Sequence, residues 1–445
     1  MRTTELPPAP DLLFSTGDEV NKYFSSPEAA ALVAKANREY HYWTEFKRQR
    51  IPEGLKPDLL WSWVKMSRRV AAKTILISPQ EDFKFYYQVT NSTLQKLHLF
   101  DLYLGGNLQG AAKIAPEDKD RYLISSIMEE AIASSQLEGA STTREKAKEM
   151  LREERKPRNK SERMIANNYH TIRRIMELKQ EKLTPELLLE LHALISKDTL
   201  NSPDYEGRFR NNNDITVQDY TTGEVVYYPP DAKRLTSLIQ ALCNFTNASD
   251  EKEFVHPIIK ASILHFLIGY IHPFVDGNGR TARALFYWYM ISRGYWLLEY
   301  LSISRVIIKS AAQYARAYLY TEQDGNDLTY FINYQVKTLD QAFQELQQYI
   351  GRKIKERQEL FSLKTISQLN DRQMQLVQQL AKEPEHIFSI KEVQNIFGTV
   401  YQTARTDLKQ LEETGLLRMK MSGKKQLYYR SPEFDQKLEN LLRSK

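Results

Sequence analysis

Apolar residues recur at three- and four-residue intervals through most of the chain, the spacing that lines one face of an α-helix. The clearest case opens at Thr184-Pro185-Glu186, with Thr184 placed to cap and Pro185 at the first helical position, where its missing N–H is harmless. Leu187, Leu188, Leu191, Leu194 and Ile195 then fall on one stripe, while Glu190 and Lys197 lie off it. Two runs, Ala261 to Ile271 and Ala282 to Ser292, stay apolar for 11 residues each. A membrane span needs roughly 20, so both predict buried core helices and no membrane partner. β-patterning is confined to two places. Asp214 to Tyr228 has two β-rich runs around Thr222-Gly223, and Leu416 to Met421 with Gln426 to Tyr429 flank Ser422-Gly423-Lys424-Lys425; each predicts a hairpin. The expected fold is mainly α, divided into 1–115, 116–345 and 346–445, with a polar helix over 341–358 at the second division.

Composition narrows this picture. The 445 residues carry 62 Lys plus Arg against 56 Asp plus Glu, and a net +6 is too small to point to nucleic acid or membrane without local clustering. The one cysteine, Cys243, excludes an internal disulfide and a Cys-rich zinc site. The first residues mix Pro7, Pro8, Pro10, Glu5 and Asp11 into their apolar positions and lack a secretion-signal pattern, so the expected location is cytoplasmic. The aromatics of Tyr40-His-Tyr-Trp43 and Trp61-Ser-Trp63 read as core residues.

Chemistry concentrates in His272-Pro-Phe-Val-Asp-Gly-Asn-Gly-Arg-Thr-Ala-Arg283, a loop entering a helix. Gly277 and Gly279 let successive N–H groups turn toward one anion, and the helix start adds its positive end. Arg280 and Arg283 share a face at i, i+3, where two guanidinium forks suit a polyphosphate. Asp276 offers the oxygen that Mg²⁺ favours, and His272 can take a proton near neutrality. Zinc is disfavoured, because His256, His265 and His272 are nine and seven residues apart and no His-Glu-x-x-His occurs. His265 reads as a hydrogen-bonded core residue.

This window resembles the Fic family pattern His-x-Phe-x-Asp/Glu-Gly-Asn-Gly-Arg-x-x-Arg, matched at His272, Phe274, Asp276, Gly277, Asn278, Gly279, Arg280 and Arg283. The resemblance implies a Fic-fold helical core in which His272 deprotonates a Ser, Thr or Tyr hydroxyl of a protein target. That oxygen attacks the α-phosphorus of ATP, releasing pyrophosphate. Asp276 would hold Mg²⁺, Asn278 and the glycine amides the α-phosphate, and Arg280 and Arg283 the β- and γ-phosphates. Relatives resembling the Doc toxin carry a Lys variant of the Gly-Asn-Gly-Arg tetrad and transfer phosphoryl; Arg280 matches the adenylylating form. Transfer of UMP or phosphocholine stays open as an alternative.

Two further segments resemble the family. Gly207-Arg-Phe-Arg210 with the 214–228 hairpin looks like the flap that registers a target strand, here through Ile215, Val217, Tyr227 and Tyr228. Ser134-Ser-Gln-Leu-Glu-Gly139 matches the inhibitory pattern Ser/Thr-x-x-x-Glu-Gly/Asn, on a helix near 128–140. The resemblance implies that Glu138 pairs with Arg283 and keeps ATP from its productive pose. In some relatives such a glutamate also orients water to remove AMP, which gives Glu138 a second expected role.

The C-terminal unit resembles winged-helix domains. Tyr401, Gln402, Thr403, Arg405 and Thr406 lie on a recognition-helix candidate, with Lys424 and Lys425 at the wing tip. Residues 401–430 hold seven Lys or Arg against three Asp or Glu, a local +4 that suits DNA phosphates. The bland alternative is a module for protein contacts or for pairing with a second copy of the chain. The class competing with AMP transfer is a DNA-binding regulator whose Fic core senses nucleotide.

Overall fold

A computed structural model describes residues 5–9, 17–78, 83–105, 116–219, 222–249, 254–362, 369–423 and 425–443. Its centre is a pair of helices, Pro257–Ile271 and Asn278–Ser292. Both are buried along nearly their whole length, which requires other elements to wrap them. Ile263, Phe266, Leu267, Ala282, Leu285 and Met290 are accordingly buried. The wrapping helices are Pro116–Leu137, Lys160–Glu177, Pro185–Ser196, Leu235–Asn247 and Thr329–Ser362. Pro185–Ser196 starts as its sequence predicts, for the Thr184 hydroxyl accepts the Leu187 N–H at 3.1 Å.

The N-terminal aromatics are core. Tyr42, Trp43, Phe46 and Trp61 cluster together and are closed by Tyr330 of the long Thr329–Ser362 helix. A third hairpin, absent from the sequence reading, follows: Lys73–Ser78 pairs antiparallel with Phe83–Tyr87. The run Thr74-Ile75-Leu76-Ile77 shows no clean alternation, and its pairing depends on tertiary packing. Phe85 lies against Phe266 and Tyr270, with ring centroids 5.9 and 5.4 Å away. Through Phe85, Phe100 and Leu104 the central core extends across the division expected near 115. The Thr329–Ser362 helix likewise runs unbroken through the division expected at 345, with Leu346 and Ile350 still in that core.

Residues 369–443 build their own apolar cluster around Leu376, Leu380, Phe388, Val393, Leu408 and Leu411. The order is helix Asp371–Lys382, strand Ile387–Ser389, helices Ile390–Phe397 and Tyr401–Glu413, then strands Leu417–Ser422 and Lys425–Arg430. Lys425–Arg430 is the middle strand of an antiparallel sheet. Residues 387–389 pair with the last strand, and the Ser389 hydroxyl caps the helix that follows by accepting the Glu392 N–H at 3.1 Å. Among the described residues, no helix is long and apolar enough to cross a membrane.

Candidate active site

The loop between the two central helices carries the site. His272 ends the first helix in the left-handed region, at φ 49° and ψ 58°. Its Nδ1 lies 3.1 Å from the Gly269 carbonyl oxygen. A carbonyl only accepts, so this contact places the ring proton on Nδ1 and leaves Nε2 with a free lone pair. Burial holds the imidazole below its ordinary pKa, which keeps it neutral and basic near pH 7.

Gly277 follows at φ 87° and starts the second helix. A Cβ there would come within 3.3 Å of His192, so the left-handed turn and the close approach both require glycine. Asp276 is half exposed, and its Oδ1 accepts the Gly277 N–H at 2.5 Å. A single exposed carboxylate beside an anion site fits Mg²⁺, which takes one or two protein oxygens and completes its shell with phosphate and water.

Arg280 and Arg283 share a helix face but differ in their partners. Arg283 is buried, donating from Nε to Ser134 Oγ at 2.8 Å and from Nη2 to Glu138 Oε1 at 2.8 Å. Burial opposes its charge, but Glu138, with smaller help from Tyr314 and Glu130, holds its pKa above the ordinary value. Arg280 is 1% exposed and donates from Nη1 to the Ile195 carbonyl, while its Nε and Nη2 have no hydrogen-bond partner. Asp276 is 3.8 Å off, and burial lowers the Arg280 pKa. A buried guanidinium left with open donors at a helix N-terminus is built for an anion.

Glu138 lies at the mouth of that anion site. A Cβ built on Gly279 would sit 2.2 Å from Glu138 Oε1, so the carboxylate covers the glycine face that phosphate would approach. Its helix, Pro116–Leu137, is pinned one turn below Ser134 by Glu130. This buried carboxylate accepts from the Tyr287 and Ser302 hydroxyls at 3.0 and 2.9 Å and from the Ser304 N–H at 3.0 Å. Burial raises its pKa.

Other expected residues land differently. The Asn278 side chain is closed on Phe274, accepting from its N–H at 3.0 Å and donating to its carbonyl at 2.8 Å. It braces the loop, and one Nδ2 proton and the backbone N–H are left as donors. In the flap, Val217–Gln218 pairs with Val225–Tyr227. Ile215 and Val217 are half-buried and Tyr228 is 73% exposed. Tyr227 turns its side chain inward, donating from the hydroxyl to the Tyr270 carbonyl at 2.9 Å, which anchors the returning strand. Lys425 lies 3.6 Å from Glu153, and Lys424 lies outside the described residues. His265 is a core residue, bonded to Tyr314 and Gln335.

Sequence reasoning missed His192. Its Nδ1 accepts the Gly207 N–H at 3.1 Å, so Nε2 carries the proton and donates to the Asp276 carbonyl at 2.9 Å. The ring stacks on Phe274 at 3.7 Å, and burial drives its pKa down to about 4. The available signal was a lone imidazole on the Leu188, Leu191, Ile195 stripe.

Residues 182–290 match the Fic/DOC family. The protein adenylyltransferase Fic of Drosophila virilis is 35% identical over 114 residues, 26% of this chain and 21% of that protein. Its Drosophila melanogaster counterpart is 34% identical over 113 residues, 25% of this chain and 21% of that protein. The match thus spans about a fifth of these relatives' length. Among solved structures, Fic-1 from C. elegans superposes with a TM-score of 0.50 at 16% identity, covering 78% of this chain and 90% of that one. A Fic family protein from Desulfovibrio desulfuricans gives 0.49 at 20%, covering 78% and 98%. The chain therefore contains a Fic domain within a mainly helical fold.

Proposed function

We propose that the Fic domain of this chain transfers AMP from ATP to a hydroxyl of a protein, the chain itself included, and that Glu138 restrains it. The observation that carries this reading is Arg280, a buried guanidinium with open donors beside a glycine-lined helix N-terminus. His272, in the adjoining loop, presents a bare Nε2. The acceptor hydroxyl gives its proton to Nε2 as its oxygen bonds to the α-phosphorus. The bond from that phosphorus to the bridging oxygen breaks, and pyrophosphate leaves. Gly277 and Gly279 keep side chains away from the phosphates, and Arg280 and Arg283 take developing charge on the leaving group. Asp276 would hold Mg²⁺, which when bound neutralises phosphate charge. The Gly-Asn-Gly-Arg tetrad and the adenylyltransferase names of the relatives support AMP over phosphoryl transfer. Mass spectrometry of the modified protein tests the choice. Attached adenylate supports the reading, and attached phosphate overturns it.

Arg280→Met separates ligand binding from stability. Loss of charge-assisted bonds, each worth about 1.5–3 kcal/mol, weakens ATP binding roughly tenfold to a hundredfold. The ATP-free melting temperature stays level or rises, because replacing a buried, poorly paired charge by an apolar side chain is often neutral or stabilising. Calorimetric titration and thermal melts check both halves.

A second reading concerns the C-terminal unit, whose Tyr401, Gln402, Arg405 and Thr406 point outward along one helix, beside exposed Arg418 and Lys420, with Thr403 half-buried. We propose that this winged-helix arrangement contacts duplex DNA. Four phosphate contacts would weaken binding of the full chain about a hundredfold between about 50 and 200 mM salt. Fluorescence anisotropy with a labelled duplex measures this, and binding that ignores salt or is absent removes DNA as a partner.

A further inference from the structure

We infer that Arg210 is a positioning residue that registers the flap to His272, and so sets where an acceptor hydroxyl meets Nε2. This rests on the AMP-transfer reading. Arg210 is 4% exposed, and its guanidinium is satisfied almost wholly by carbonyl oxygens. Nε donates to the His272 carbonyl at 2.9 Å, and Nη1 donates to the Asn212 carbonyl at 2.8 Å and to Asn213 Oδ1 at 3.3 Å. Nη2 donates to the Pro230 carbonyl, and the Arg210 backbone N–H donates to the Pro273 carbonyl at 2.8 Å. One side chain therefore ties together the chain entering the flap, the chain leaving it and the loop that begins at the base.

Two neighbouring bonds complete the frame. Asn213 Oδ1 also accepts the Ala232 N–H at 2.8 Å, closing the flap's two stems on each other, and Tyr227 anchors the returning strand to the Tyr270 carbonyl. His272 adopts a left-handed backbone that a non-glycine residue holds only under constraint. Its carbonyl is aimed at Arg210 while its ring is aimed at Gly269. Burial lowers the Arg210 pKa, and among the described residues no carboxylate lies within ion-pair distance of it. Its role follows from the fork, whose fixed, diverging donors reach several carbonyls at once, as an ammonium cannot. The phosphate-facing groups, Gly277 through Arg283, are not among its partners.

The inference separates two kinetic quantities. In the full chain carrying Glu138→Gly, adding Arg210→Gln should cut kcat for attachment of α-labelled adenylate about a hundredfold, the scale of a 1 Å misplacement. The KM for ATP and the directly measured ATP affinity should stay within about twofold, since the phosphate contacts are intact. Arg210→Lys, which keeps the charge and part of the bonding, should fall between, about tenfold below the parent. An unchanged kcat in Arg210→Gln overturns the inference. So does equal loss of kcat and ATP affinity in both variants, which would make Arg210 a support of the fold and no more. A parent that attaches no α-label overturns the AMP-transfer reading and this inference with it.

Discussion

Glu138→Gly is expected to raise self-labelling from α-labelled ATP by roughly 5- to 150-fold, the effect of releasing a coupling of about 1–3 kcal/mol. Two independent contacts underlie the figure. Glu138 Oε1 accepts a hydrogen bond from Arg283 Nη2 at 2.8 Å, so a guanidinium placed for phosphate is already engaged. The same oxygen stands over Gly279, closer than a Cβ could lie, and fills the approach to the helix N-terminus with negative charge. The pair also supports the fold. Arg283 keeps Ser134 as a partner in the variant but loses its carboxylate. Removing one partner of a fully buried ion pair costs about 3–5 kcal/mol, and the loss here falls below that because Glu138 is a quarter exposed and Ser134 still binds Arg283. The ATP-free variant should therefore melt lower than the parent, and ATP should restore more stability to it than to the parent, by mass action on the folded form. A variant with unchanged labelling and unchanged response to ATP would mean that Glu138 packs against Arg283 without governing the site.

His272→Ala, made in the Glu138→Gly background, should lower label transfer by about 10²- to 10⁴-fold, the usual contribution of a positioned general base. ATP affinity should be retained, because the ring contacts the Gly269 carbonyl and none of the anion-binding groups. The sign of the pH dependence follows from the same ring. Burial lowers its pKa from the ordinary 6.5, so the base form persists below neutrality. The rate should hold as pH falls through 6.5 and decline only below it, as Nε2 takes up a proton. A rate already falling above pH 7 would point to a different base.

The outline of the site was legible because its chemistry is local. Residues 272–283 place a base, a turn and two guanidinium groups within twelve positions, and Ser134 and Glu138 are spaced i, i+4; such relations survive in one dimension. What was missed depends on contacts distant in sequence. Asn278 looked like a phosphate ligand, yet the backbone of Phe274 claims both ends of its amide once the loop closes. Tyr227 is one tyrosine of a hairpin in the sequence, and only the packing of that hairpin on Tyr270 shows its hydroxyl turned in. Arg210 reads as any loop arginine until the flap's two stems and His272 converge on it from 2, 20 and 62 residues away. The Lys73–Ser78 hairpin was silent for the same reason, since Phe266 and Tyr270, which cover it, lie far along the chain.

The most direct test of a restrained AMP transferase is the position of the transferred phosphorus. Glu138→Gly and the Glu138→Gly, His272→Ala double variant would be incubated in parallel with α-labelled and γ-labelled ATP. The account predicts protein-bound α-label in the single variant, none in the double variant, and no γ-label in either. Protein-bound γ-label, or α-label that survives the loss of His272, would contradict it.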